Sequence, residues 1–268
     1  MNQKRSIDPI RLLIVLLGAG LVLMLGFAGV RNLFSSSDSP KPSNNDKPKD
    51  EGDTTPKEEK ADYYIVIDAA LGGELKGDVV ETTTEAEING NIAQTIYERL
   101  SQDKRFSVEL SHPFNESASV ENKANKINQE SPDFFITIAS AHSQAAETSG
   151  INVFVQTPTH ANHADSMKLA SEIREDFSSF NTVNILYQYY ESVGNNIFQI
   201  KYVDASDETD YGLETWDILQ KTSVPGVLVE QVYITNPSEV STWINTDGYQ
   251  RIAEEYYKIV CSYLGIKK

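Results

Sequence analysis

The feature that most constrains this chain is an apolar run near its N-terminus. From Leu12 to Val30 the sequence carries no charged residue and is rich in Leu, Val, Ile and Gly. As a helix with a rise of about 1.5 Å per residue, this run reaches across about 30 Å of hydrocarbon. Several basic residues precede it and only Arg31 follows at once, which favours a cytoplasmic N-terminus. The sequence therefore predicts a cytoplasmic tail over 1–11, a single transmembrane helix over 12–30, and an extracytoplasmic remainder at the cell membrane.

A cleaved signal peptide is the alternative interpretation, because Ala28 and Gly29 supply small residues near a possible cleavage point. The next segment, 31–60, becomes rich in Ser, Pro, Asn, Asp, Lys and Glu and has no large apolar residue beyond Phe34. Such a composition buries too little apolar surface to offset the entropy of ordering. We therefore expect a disordered extracytoplasmic tether over 31–60, which its prolines keep extended.

The remaining residues, 61–268, have the length of one domain and an acidic charge balance. The whole chain has a net charge of −16; the first 34 residues carry +3 and the segment 35–60 carries −2, which leaves −17 on the domain. A field of this sign repels nucleic acid, so nucleic-acid binding is excluded as a function class. The one cysteine, Cys261, excludes an internal disulfide and a cysteine-based metal cluster.

Apolar runs and helical periodicities alternate along the domain. Compact β-branched and aromatic runs predict buried strands, and apolar residues spaced four apart, such as Ile88, Ile92 and Ile96, predict a helix. Gly194 and the two asparagines after it predict the turn of a hairpin. The fold class predicted is α/β, a single domain with a mostly parallel or mixed central sheet flanked by helices. The strands are expected at 63–68, 108–110, 134–138, 151–155, 183–190, 197–203 and 227–232. Helices are expected at 88–100, around 124–127, from about His163 to Phe177, and at 249–264, and Asn236-Pro237 supplies a helix cap and a first-turn proline.

Functional groups in open α/β sheets gather at strand ends, and two glutamates occupy such positions. Glu230 ends an apolar strand and Glu85 stands just before the first helix. Carboxylates there are candidate metal ligands or acid–base groups. The alternative is structural, because a glutamate at a helix start also complements the helix dipole.

Five segments of the domain carry a resemblance to a known family. They are DAALGG at 68–73, EAEIN at 85–89, SHPFN at 111–115, PDFFITIA at 132–139 and PGVLVEQVYITN at 225–236. In this order, and across nearly the whole domain, they resemble the motifs of the zinc-dependent N-acetylmuramoyl-L-alanine amidases, which cut bacterial peptidoglycan. Those motifs are D-x-G-H-G-G near a strand end, a Glu opening the next helix, T-R-x-x-D, an A-D followed by S-I-H, and a final P-x-x-L-V-E-x-x-F-x-x-N.

The resemblance implies a degenerate zinc site. The family binds zinc through His, Glu and His, and a second Glu acts as general base on the metal-bound water. By position, Glu85 matches the ligand glutamate and Glu230 matches the base, whereas Leu71 and Ala139 stand where the histidines belong. Catalytic zinc requires three protein ligands and an open position for water. We therefore expect no cofactor, and zinc only if the site has been rebuilt.

Two routes to activity remain open. His142 lies three residues past Ala139 and is a possible substitute ligand, together with Glu85 and either His160 or His163. The alternative interpretation is that all four histidines are surface residues. Glu85 and Glu230 also offer an acid–base pair without a metal, since paired carboxylates can split their pKa values.

The main prediction is a membrane-anchored, extracytoplasmic, amidase-like pseudoenzyme. By resemblance, its partners are peptidoglycan or a cell-wall, division or sporulation protein, bound without hydrolysis. The alternative function is an active N-acetylmuramoyl-L-alanine amidase, a peptidoglycan hydrolase with a relocated zinc site.

Overall fold

The apolar runs of residues 61–268 form the strands of a central sheet. A computed structural model describes residues 61–194, 197–207, 209, 211–212 and 216–267. The predicted transmembrane helix at 12–30 and the tether at 31–60 lie outside them. Among the residues that the structure describes, no helix is both long and apolar enough to cross a membrane.

The predicted strands and helices are confirmed, with additions in the loops. The strands are β1 (Tyr63–Ala69), β2 (Val79–Val80), β3 (Thr83–Thr84), β4 (Phe106–Leu110), β5 (Phe134–Ala141), β6 (Ile151–Val155), β7 (Val183–Gly194), β8 (Ile197–Asp204) and β9 (Gly226–Tyr233). The helices are α1 (Glu85–Leu100), α2 (Val120–Glu130), α3 (His163–Phe177), α4 (Asp217–Lys221), α5 (Pro237–Trp243) and α6 (Thr246–Tyr263). The small β2–β3 ribbon and the short helix α4 were not predicted.

Seven of the strands form a mixed sheet in the order β4-β1-β5-β9-β6-β7-β8. The four strands from β4 to β9 are mutually parallel, β6 runs antiparallel to β9, and β7 runs parallel to β6. β7 and β8 form the predicted antiparallel hairpin. Of the two predicted types of sheet, mostly parallel or mixed, the structure has the mixed type. Because β6 is reversed, its first residues lie beside the carboxyl end of β9.

Helices cover both faces of the sheet. On one face, α1, α3 and α6 bury residues such as Ile92, Ile173 and Tyr256 against alternate strand residues. On the other face, Ala124 and Ile127 of α2 and Ile218 of α4 pack against the intervening strand residues. The two-residue period of a strand sends successive side chains to opposite layers, so each strand serves two cores.

A buried ion pair fastens α2 to the sheet. Asp68 at the end of β1 is fully buried, and Lys123 of α2 donates from Nζ to its Oδ2 over 3.0 Å and to the main-chain oxygen of Ala69 over 2.8 Å. Thr137 and Ser111 also donate hydroxyl hydrogen bonds to the Asp68 carboxylate. Burial raises the pKa of Asp68, but the charge of Lys123 and hydrogen bonds from His112, Ser111 and Lys123 outweigh it, so the pKa lies below its usual value.

Replacing Lys123 with alanine should destabilise the domain strongly, because it leaves the Asp68 carboxylate buried without a counter-charge. We expect Lys123→Ala to lower the free energy of unfolding of residues 61–268 by about 3–5 kcal/mol in urea titrations. Lys126→Ala is the control: this lysine, on the same helix, is more than one-third exposed, and its loss should cost less than about 1 kcal/mol. Equal losses for the two variants would contradict the assignment.

Candidate functional site

The candidate site lies where the parallel strands end. In the sheet register, Ala139 of β5 pairs with Glu230 of β9, and Asn152 of β6 pairs with Glu230 from the other side. The loop after β1 carries Leu71, and α1 begins with Glu85. The structure therefore brings the segments of all four predicted site positions to one edge of the sheet.

A helix cap sets the position of Glu85. Thr84 caps α1: its side chain accepts from the main-chain N–H of Glu87, and the Glu87 carboxylate accepts from the main-chain N–H of Thr84 over 2.8 Å. This reciprocal arrangement fixes the first turn of the helix. Glu85 thus becomes the first helical residue, and its side chain is only 13% exposed.

Leu71 and Ala139 lie at the two positions where the resemblance implies histidine, and their side chains carry no donor atom. A Cβ atom added to Gly77 would lie 2.6 Å from Leu71 Cδ1 and would overlap the Glu85 carboxylate, so the leucine and the glutamate flank the same glycine. Ala139 is 5% exposed and offers only a methyl group. The described site therefore has apolar groups, not nitrogen donors, on two sides of the glutamates.

His142 lies between two carboxylates. Its Nε2 atom is 3.3 Å from Glu85 Oε2, and its Nδ1 atom is 3.2 Å from Asp78 Oδ2. Glu85 Oε2 also accepts from the main-chain N–H of Asp78 over 3.3 Å. The sequence singled out His142 as a possible substitute ligand, and the structure does place it against Glu85. Both ring nitrogens, however, already face carboxylate oxygens.

Glu230 sits in an environment that disfavours its charge. Burial raises the pKa of Glu230 to about 7, and the nearby Glu85 carboxylate adds to this rise. A hydrogen bond from Asn152 Nδ2, 2.9 Å from Glu230 Oε2, and the proximity of His142 act in the opposite direction. Asn152 is held in turn by Asn184, which donates to its Oδ1 over 3.0 Å. Glu230 therefore keeps its proton to a higher pH than an ordinary glutamate does.

The other histidines do not reach this site. His160 Nε2 contacts the main-chain oxygen of Thr222 at 3.1 Å, and His163 Nδ1 contacts that of Gln156 at 2.8 Å. Gln156 follows β6 at the end of that strand opposite Asn152. The expectation that all histidines are surface residues is wrong for His112, which is 8% exposed and lies 2.8 Å from Ser111 Oγ through its Nδ1.

These residues do not fit a catalytic zinc ion. Catalytic zinc sites use three nitrogen, sulfur or carboxylate donors from the protein, and here Leu71 and Ala139, at two of the three positions that the resemblance implies, carry no donor atom. His142 lies against Glu85, but both of its ring nitrogens face carboxylates. Within the described part of the chain, no three His, Cys, Asp or Glu side chains are arranged to hold a metal ion. No catalytic step is therefore derived through zinc.

Three contributors to the site were missed by the sequence. Asn152 and Asp78 lie in unremarkable sequence contexts, and only the reversed strand and the β2–β3 ribbon bring them to the glutamates. Lys123 did leave a signal, because it shares the inward face of α2 with Ala124 and Ile127 at helical spacing. A lysine on an apolar helix face predicts a buried acidic partner.

A mixed sheet between two helical layers, with Glu230 near the end of a parallel strand and Glu85 at the start of α1, defines an amidase-like α/β domain. The model of the N-acetylmuramoyl-L-alanine amidase family matches residues 65–262. The chain belongs to this family, and the resemblance seen in the sequence is confirmed.

Individual relatives agree with this assignment. A protein of Buchnera aphidicola subsp. Acyrthosiphon pisum (strain APS), provisionally named an N-acetylmuramoyl-L-alanine amidase, is 23% identical over 215 residues, which cover 72% of this chain and 91% of that protein. The N-acetylmuramoyl-L-alanine amidase of Clostridium difficile 630 superposes with a TM-score of 0.61 at 22% identity, over 78% of this chain and all of the other. The catalytic domain of CwlV from Bacillus (Paenibacillus) polymyxa var. colistinus gives 0.58 at 18% identity, over 76% of this chain and 99% of its own. At these identities the superpositions show the fold.

Glu230→Gln should change the pH dependence of stability. The pKa of Glu230 is about 7 in the folded state and about 4.5 in the unfolded state. The protonated carboxyl group therefore contributes its full stability below about pH 4.5, and this contribution is lost as the pH rises to about 7. A neutral amide keeps the Asn152 hydrogen bond without that loss. We expect the glutamine variant to gain up to about 3 kcal/mol over the wild type at about pH 8 and little at about pH 4. Urea unfolding at both pH values measures this, and a difference that does not vary with pH would contradict it.

Proposed function

We propose that this protein is a membrane-anchored, extracytoplasmic amidase-like pseudoenzyme. It binds peptidoglycan, or a wall-remodelling, division or sporulation protein, and does not hydrolyse the muramoyl–L-alanine amide bond. Membership of the amidase family supports the link to peptidoglycan. The apolar run at 12–30, with its basic flank, supports the single-pass anchor.

The single observation that carries the proposal is the chemistry at Leu71 and Ala139. Hydrolysis of an unactivated amide by this family depends on a metal ion that lowers the pKa of its bound water to about 7. Side chains without a donor atom at two of three ligand positions remove most of the binding free energy for that ion. Glu85 then has His142 and the N–H of Asp78 as its partners in place of a metal.

Use of this fold for protein binding has a precedent among the structural neighbours. The CwlD amidase of Clostridioides difficile, which superposes with a TM-score of 0.55 at 18% identity over 76% of this chain and all of its own, was solved in complex with the GerS lipoprotein. A domain of this shape therefore presents surfaces that a second protein can bind. This supports a binding role for the present chain but does not identify its partner.

A second candidate function is an active amidase with a relocated zinc site. The 3.3 Å separation of His142 Nε2 and Glu85 Oε2 favours it, because two donors already converge there. Two observations argue against it. The Asp78 carboxylate also lies against His142, and His160 and His163 lie at the far end of β6. Displaced ligands seldom keep the geometry that catalysis needs.

Metal content separates the two candidates. The purified full chain is incubated with zinc and desalted, its zinc content is measured, and the same sample is assayed for release of peptide from purified peptidoglycan. We expect far less than one zinc per chain and no release. Near-stoichiometric zinc with release would establish the relocated site, and release without zinc would indicate the metal-free pair of Glu85 and Glu230.

A gain-of-binding variant is the matched control for this measurement. In Leu71→His/Ala139→His, both donors return beside Glu85, and zinc should rise towards one per chain. Leu71→His alone supplies too few ligands and should stay close to the wild type. Absence of zinc from the double variant would mean that the loss does not originate at these two positions.

The glutamates should also matter for binding a wall fragment. The two carboxylates at this edge of the sheet suit a cationic group, such as the free amine of a diamino acid in a stem peptide. We expect Glu85→Ala/Glu230→Ala to weaken the binding of such a muropeptide about tenfold or more by calorimetry. Glu109→Ala, at the end of β4, is the control. Unchanged affinity in the double variant would exclude this cleft as the muropeptide site.

A further inference from the structure

The outer part of the β7–β8 hairpin exposes a contiguous set of large apolar side chains. Tyr190 pairs with Ile200 across the hairpin, and Phe198 and Tyr202 flank Ile200 at two-residue spacing on β8. These four residues therefore share one side of the sheet. They are 44–57% exposed, and we call them the hairpin face. Exposed apolar patches of this kind on soluble domains mark interaction surfaces.

A pocket opens at the base of the hairpin face. It has a volume of about 320 Å³, and Tyr190 belongs to both features. Its other apolar lining comes from Leu228 of β9, Trp216 and Ile218 beside α4, and Val120 of α2. The volume lies at the lower end of the range of about 300–1,000 Å³ for ligand pockets, which suits one large side chain.

The pocket has a rigid wall and an unused hydrogen-bond donor. The Phe154 ring lies 5.4 Å from the Trp216 ring and 6.1 Å from that of Tyr202, so the pocket and the hairpin face share one aromatic cluster. Trp216 Nε1 is buried and has no hydrogen-bond partner among the residues that the structure describes. A buried donor without a partner costs free energy, which a carbonyl oxygen of an incoming segment would recover.

The surface is continuous with the candidate site. Thr137 and Leu228 line the pocket, and they precede Ala139 and Glu230 by two residues on the same strands. Residues two apart on a strand point to the same side of the sheet. The pocket, the hairpin face and Glu230 therefore form one side of the domain.

Charge decides what kind of molecule fits. Asp217 lines the pocket, and Lys221 is already bound by both Asp217 and Glu121 at 3.0 Å. Lys201 on β8 is likewise taken by Glu191. Lys123 also lines the pocket, but it is paired with the buried Asp68. Asp217 and Glu121 share the one charge of Lys221 and so keep one net negative charge between them. With these three lysines each paired with an acid and a domain charge of −17, the surface repels a second copy of this chain and attracts a basic partner.

We propose that the hairpin face and its pocket are a docking site for a basic, aromatic-bearing segment of a partner protein. One bulky side chain of that segment enters the pocket beside Trp216, its apolar residues cover Ile200 and Phe198, and its Lys or Arg side chains face Asp217 and Glu121. This site deepens the proposed binding function and rests on it. It specifies that the partner of the proposed function carries a basic segment with an aromatic side chain.

The test uses a random-peptide display library and the full chain in nanodiscs, after depletion on empty nanodiscs. Enriched peptides should be net positive and should contain an aromatic or large aliphatic residue. A synthetic peptide of the consensus sequence should bind Tyr190→Ser and Ile200→Ser about tenfold or more weakly than the wild type. Phe180→Ser is the matched control, because Phe180 is 45% exposed but packs against Trp243 in the opposite helical layer, and its affinity should not change.

Several results would overturn the proposal. The first is that no peptide is enriched over empty nanodiscs. The second is that the peptides bind Tyr190→Ser, Ile200→Ser and Phe180→Ser equally well. The third is that light scattering shows a wild-type dimer that Ile200→Ser dissociates. Loss of binding to purified glycan strands in the hairpin variants, without loss of peptide binding, would assign the face to carbohydrate and would also overturn it. Thermal unfolding of each variant establishes that the substitutions leave the domain folded.

The outcome is separable from that of the proposed function. Zinc binding with amide release would remove the pseudoenzyme proposal, whatever the peptide result. Failure of the peptide test with substoichiometric zinc and no release would remove only the docking site.

Discussion

The buried Lys123–Asp68 ion pair determines the geometry at the strand ends. Asp68 needs a counter-charge because a carboxylate loses its hydration in a fully buried position, and Lys123 supplies it together with hydrogen bonds to the main chain after β1. The same contacts fix the loop that carries Leu71. Ser117 extends this anchoring by donating from its hydroxyl to the main-chain oxygen of Gly72 over 3.1 Å. The position of an apolar side chain beside Glu85 thus depends on an ion pair in another layer.

The site combines two glutamates with neighbouring positions that carry no nitrogen donor. Glu85 and Glu230 lie at one edge of the sheet, and their immediate partners are His142, Asp78 and Asn152. Hydrogen bonds to an imidazole and an amide satisfy a carboxylate without a metal ion. Under the proposed function the two glutamates recognise cationic or hydrogen-bonding groups, and the apolar hairpin face on the same side of the sheet extends that surface.

Much of the fold was predictable because local patterns carry it. The runs YYIVID and FFITI became β1 and β5, and the spacing of Ile88, Ile92 and Ile96 became the buried face of α1. The turn residues around Gly194 predicted the β7–β8 hairpin. The β2–β3 ribbon and α4 were missed, since segments of two and five residues are too short to show a period. The histidine prediction failed at His112, because its burial depends on the loop that folds over it.

By itself, the sequence determined the α/β class and the family, because these follow from residue identity and order. Only the tertiary structure decided that β6 runs against β9, and this reversal puts Asn152 beside Glu230 and takes His160 and His163 to the opposite edge. Strand direction and register are set by packing between segments far apart in sequence, so no local pattern encodes them. The same holds for the hairpin face. The alternation of its apolar side chains along β8 can be read from the sequence, but they are exposed because no helix among the described residues packs over them.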